Sequence, residues 1–212
     1  RLSLEQLAKT GKCVGCDLSG ARFNKIKLDS IDFTGANLQN TSFKQVELLN
    51  SVFQGADLSS ATFIQSNLKN LDLKKTILDK TSFFKTNLNH IDLSKSSLYE
   101  TKFVDGVTIT DSVFKSCNWS FGHFLNSKMT RVDLSGATLN GGQFINSDLN
   151  SVNLNDILAN ETQSKLVFDQ SRISDSSFQR AKLKQTSFQN TKLTKGNISY
   201  EENGLLNKYL TF

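Results

Sequence analysis

Cys13 and Cys16 stand three apart, a spacing used by redox pairs and by half of a zinc site. Zinc would need two more ligands, and only Cys117, His90 and His123 remain to supply them. A redox pair normally opens a helix beside a βαβ unit, and no strand–helix alternation surrounds this one. Asp17, Asp32, Asp57, Asp72, Asp92 and Asp133 could provide acid–base chemistry, but each precedes a Leu or Phe by one residue. Such repetition assigns them to turns, where short polar side chains bond nearby backbone. The glycines are scattered, so no loop can cradle phosphate. The reading is no enzyme: no catalytic residue, metal or cofactor.

The elements that position these residues follow a five-residue period. Leu or Phe stands at every fifth place from Leu18 through Phe23, Leu28 and Phe33 to Phe103. The frame slips by one and resumes as Ile109, Phe114, Trp119 and Phe124, running to Leu154. After an irregular stretch it returns from Phe168 to Ile198. Two residues before the central position stands mostly a small or β-branched residue, such as Ala36, Thr41, Ala56, Cys117 or Ala181. A five-residue step walks around an α-helix, and a plain strand alternates every two residues. A coil that turns a corner every five residues accommodates the pattern, with four sides to the coil. Phe23, Phe43, Phe63, Phe83 and Phe103, then Phe124 and Phe144, then Phe168 and Phe188, place a Phe on one side of every coil. The breaks predict a bulge near 104–108 and a loop near 155–165. This geometry puts His90 and His123 on different sides of the coil. It makes Cys16 and Cys117 the small inward residues of their units, and a Cys13–Cys16 disulfide in an oxidising compartment is a further reading.

The chain has 212 residues, no proline, 37% hydrophobic residues and a formal charge of +5. No apolar run approaches the roughly 18 residues of a membrane-spanning helix. No signal peptide is visible, and Arg1 in place of Met leaves room for a segment removed upstream.

Ala36-Asn37-Leu38, Ala56-Asp57-Leu58 and the run CDLSGARF at 16–23 resemble the A-(D/N)-(L/F)-x-x unit of the pentapeptide repeat family. The resemblance covers about 13–200 and implies an all-β fold, a right-handed quadrilateral β-helix of about nine coils. At about 4.8 Å per coil the rod would be on the order of 43 Å long. Open solenoid ends need caps. Residues 1–12 are expected to form a short helical cap, and 201–212 a C-terminal cap. Leu205, Leu206, Tyr209, Leu210 and Phe212 would cover the last coil there. As some relatives dimerise through this end, the same residues could make a homodimer surface. The opening KTGKCVGCDLSGA resembles exported members, which points to a periplasmic or equivalent compartment. Relatives that mimic DNA to engage DNA gyrase are strongly acidic; a charge of +5 has the wrong sign for that role. Lys74, Lys75, Lys80, Lys85 and Lys95 read as solvated surface rather than a nucleic-acid site.

The position after the central residue points outward and is normally polar. On the Phe side it reads Ile64, Phe84, Val104, Leu125 and Ile145 in successive coils, with Phe121 at the neighbouring corner. Such a stripe predicts a protein partner; Val and Ile on a flat sheet, or cover by the chain's own tail, are the alternatives. The expectation is a rigid protein-binding scaffold, with a gyrase-directed protein or an exported structural protein as the other readings.

Overall fold

A computed structural model describes residues 4–194. It is a parallel β-solenoid of about nine turns with one short N-terminal helix. Nine strands, from Lys27–Asp29 to Lys192–Thr194, stack on one side, and seven, from Arg22–Asn24 to Gln143–Ile145, on the next. The other two sides are joined mostly by single bridges, such as Asp17 to Asn37 and Asn37 to Asp57, and by short pairings such as Ser51–Val52 with Leu71–Asp72. Phe23 pairs with Phe43, Phe43 with Phe63 and Phe63 with Phe83, so one coil takes twenty residues.

Every central residue from Cys13 to Leu193 is buried. The Phe rings stack along the rod: Phe43 on Phe63 at 4.5 Å and 4°, Phe83 on Phe103 at 4.5 Å and 4°. The small column adds a ladder of hydroxyls. Ser66 Oγ accepts the Val46 N–H at 3.1 Å and donates to the Ile64 carbonyl at 3.0 Å. Thr101 Oγ1 donates to the Leu78 carbonyl of the preceding coil at 2.7 Å. These bonds permit Ser and Thr in a core that is otherwise apolar.

Corners are tight because the residue two places after a central one takes a left-handed conformation, as at Gly20 (φ 70°) and Lys80 (φ 59°), except after Ala159, where the loop begins. The predicted carboxylates brace them. Asp17, Asp32, Asp57, Asp72, Asp92 and Asp133 each accept the backbone N–H two residues on, at 2.8 to 3.1 Å. Hydrogen bonds from the Thr34 hydroxyl and then its N–H hold Asp32 below the usual carboxylate range. Arg131 does the same for Asp111, and Arg180 for Asp156. Because the folded state favours the ionised form, this stabilisation is complete above the ordinary value of 3.8 and is lost as pH falls below it. The urea midpoint should therefore hold steady from about pH 7 to about pH 5 and decline below about pH 4.

Both irregularities have a local cause. Asp105 and Gly106 are both left-handed (φ 58° and 91°), and their N–H groups bond the Leu125 and Asn126 carbonyls. One residue is thus inserted at a corner without interrupting the ladder. The second interruption is narrower than the sequence indicates. Ile157 and Ala159 are still buried in the repeat, and Leu158–Ala159 pairs with Lys182–Leu183, so the looped residues are 160–165. Alanine in a column of Leu and Phe hid that unit. Cys13, too, is buried in the central column, five places before Leu18, so the solenoid starts at the expected residue 13, one unit before the Leu/Phe run. At this end the helix Leu4–Thr10 lies over the first coil, with Leu7 fully buried. The C-terminal cap residues Leu205, Leu206, Tyr209, Leu210 and Phe212 lie outside the described residues.

Candidate functional site

The apolar stripe is in register. Strand pairing sets Ile64 beside Phe84, Phe84 beside Val104, Val104 beside Leu125, and Leu125 beside Ile145. The alternation that buries Phe63, Phe83, Phe103, Phe124 and Phe144 turns these five residues outward, where each is partly exposed. Lys44 continues the row below Ile64. The Lys85 ammonium lies 5.1 Å from the centre of the Phe84 ring. Other apolar residues are more exposed but belong to other sides or corners: Val14, Val52, Ile77 and Tyr99.

Phe121 flanks the stripe at the preceding corner, left-handed at φ 55° and partly buried. Its ring meets Tyr99 edge-on at 5.6 Å and lies over Gly141, where a Cβ would stand 2.6 Å from Phe121 Cδ1. The other edge of the Phe side opens into a shallow groove of about 470 Å³, lined by Asn126, Lys128, Asn146, Asp148, Gln170 and Arg172. Asn146 Nδ2 donates to Asn126 Oδ1 at 2.7 Å, and Asn126 Nδ2 to Asp105 Oδ1 at 2.8 Å, which stiffens this rim.

The residues of chemical interest are spread apart. Cys13 and Cys16 have Cα atoms 5.1 Å apart with sulfurs at bonding distance. Burial pushes the Cys117 thiol up to about 12, so it stays protonated at neutral pH. His90 sits at a corner beside Asn89, with Nδ1 2.7 Å from Asn89 Oδ1. His123 lies on the Phe side, and partial burial, with Lys102 nearby, lowers its pKa. The lysines do not form one patch. Lys75 and Lys95 share one corner, Lys80 occupies the next and Lys85 the one after, so they belt the rod.

Sequence reading missed one packing feature beneath the stripe. Trp119 enters the central column where neighbouring coils place Leu98 and Leu139, and Gly122 makes room for it. The signal was available: after Gly11 in the first unit, the small column holds glycine only at Gly122 and Gly142 among the described residues.

The family models for the pentapeptide repeat region and for pentapeptide repeats match residues 26–103 and 127–157, together just over half of the chain. The chain belongs to the pentapeptide repeat family. Among solved members, this pentapeptide repeat protein is similar to HetL, involved in heterocyst differentiation regulation, from the cyanobacterium Nostoc sp. strain PCC 7120. The TM-score is 0.64 at 13% identity, covering 90% of this chain and 94% of HetL. It is also similar to trypsin-treated QnrB1, a plasmid-mediated fluoroquinolone resistance protein, with TM-score 0.59 at 18% identity, covering 86% of this chain and 89% of that one. At these identities the likeness is one of fold. Comparison with curated proteins gives no significant match.

Proposed function

We propose that this pentapeptide repeat protein is a non-enzymatic rigid scaffold that binds a protein partner through its Phe side. The observation carrying this reading is the register of Ile64, Phe84, Val104, Leu125 and Ile145, five apolar residues in adjacent strands that turn outward. A solenoid presents its sides as fixed surfaces because each coil is held by the next, so binding there requires no rearrangement. Phe121 and Tyr99 widen the surface at one corner.

Phe84→Asp combined with Leu125→Asp tests the reading. Both side chains point outward, so the variant should keep its circular dichroism and melt within a few degrees of the parent. Affinity capture from the source organism, followed by titration of the captured protein, should show at least about tenfold weaker binding to the variant. Equal capture by both forms would refute the role of the stripe. An unfolded variant would show that these residues belong to the interior.

A further inference from the structure

The chemistry around the stripe indicates what covers it. Lys44 stands in the row itself, Lys85 at the corner beside Phe84, and Lys102 two places before Val104 on the same strand; all three are exposed. No ion pair involving them is found among the described residues, and Lys85 rests on the Phe84 ring instead of a carboxylate. Glu100 precedes Lys102 by two residues and Asp105 follows Val104, where it accepts the Asn126 amide. Asp169, beyond Ile145, is likewise engaged by the Ser187 hydroxyl and the Gln189 N–H. Farther along the corner that carries Lys85, the groove adds the side chains of Lys128 and Arg172 against Asp148. The apolar strip is therefore bordered by five cations, Lys44, Lys85, Lys102, Lys128 and Arg172, against four acids, Glu100, Asp105, Asp148 and Asp169, a small positive excess in which Lys44, Lys85 and Lys102 hold no ion pair among the described residues.

Size and spacing narrow the occupant further. Five coils at about 4.8 Å make a strip about 19 Å long, and a three-residue strand makes it about 10 Å wide. That is far below the roughly 800 Å² per partner of a stable globular interface, so the occupant is narrow. A second copy would set this lysine frame against its own image, with like charges opposed. An extended strand along the rod would repeat same-face side chains about every 6.7 Å, out of step with the coils. A helix repeats every 5.4 Å and drifts only about 2 Å over the strip, which about 13 residues would span.

Resting on the protein-binding reading above, we infer that the stripe is the docking site for an amphipathic helix of about 13 residues in a partner protein, with Asp and Glu flanking its apolar seam. The apolar seam lies along Ile64 to Ile145, and the acids reach Lys102 at one edge and Lys85, Lys128 and Arg172 at the other, with Lys44 at the end of the row. Such helix-in-groove recognition uses anchors three and four residues apart.

The test is selection of phage-displayed random peptides of about 16 residues on the full chain, with counter-selection on Phe84→Asp/Leu125→Asp. Recovered peptides should carry apolar residues three and four apart beside acids, and gain helical circular dichroism on binding. The triple variant Lys44→Glu/Lys85→Glu/Lys102→Glu should weaken a recovered peptide at least about tenfold, as should raising NaCl from about 50 to about 500 mM. Lys69→Glu/Lys115→Glu, on other sides, should leave it unchanged. Stripe-dependent peptides that are basic, neutral or extended would overturn the acidic helix while leaving the interface intact. Peptides that bind only after removal of 201–212 would make the tail the occupant. A solution mass that halves in Phe84→Asp would make it a second copy, and binding to vesicles of one-quarter phosphatidylglycerol in phosphatidylcholine would make it a lipid surface. Absence of any stripe-dependent peptide would overturn the interface reading itself.

Discussion

Gly122→Ala should destabilise the protein by about 3 kcal/mol or more, at or beyond the upper end of ordinary overpacking. An added Cβ would stand 1.9 Å from Trp119 Nε1 and 2.2 Å from Cδ1, so the indole must move. It has nowhere to go. The rings of Phe103 and Phe144 hold it edge-on at 5.2 Å each, and Nε1 donates to the Thr101 carbonyl at 3.0 Å. Displacing the indole would leave a buried donor and acceptor unpaired, at about 1–3 kcal/mol. The φ of Gly122 lies outside the left-handed region, so backbone strain does not contribute. The clash is thus specific to Trp119, and Trp119→Leu should relieve it by restoring the residue type of adjacent coils. In a denaturant-based double-mutant cycle the coupling should reach at least about 1–2 kcal/mol, in the sense of rescue. A Gly122→Ala protein within about 0.5 kcal/mol of the parent would show that the coil can expand there.

Phe83→Ala should remove about 3–5 kcal/mol. The ring is buried and stacked on both faces, on Phe63 at 4.7 Å and on Phe103 at 4.5 Å. Coils above and below are locked by strand pairing, so the hole cannot close by a local shift. In a solenoid, stability is close to a sum of nearest-neighbour terms, and a weak central coil uncouples the two halves. The variant should accordingly melt over a broader range, with signals from the two halves no longer coincident. Phe83→Leu keeps most of the volume and loses the two stacked contacts, each worth about 0.5–1.5 kcal/mol. It should fall between the parent and Phe83→Ala. If Phe83→Leu equals the parent in chemical denaturation, stacking adds nothing beyond filled space.

Much of this structure was legible in the residues, and the reason is geometric. In a solenoid each side chain meets its equivalents one coil away, so a local period translates directly into contacts in space. The five-residue repeat alone separated inward from outward positions, set the coil at four units and aligned Phe84 with Val104 and Leu125. The same rule placed the turn aspartates on their backbone partners. Reading failed where side-chain size broke the pattern: Ala159 occupies a central position, yet does not look like Leu or Phe.

Tertiary structure decided what periodicity does not encode. The fit of Trp119 against Gly122 depends on where the indole points inside one coil, and its position in the repeat does not specify that. The belt of lysines and the free frame around the stripe depend on which carboxylates are already occupied by amides and hydroxyls. The sequence determined which residues share a side of the rod. How far they stand exposed, and which charges remain to meet a partner, followed only from packing, because both depend on neighbours across corners and not on the spacing along the chain.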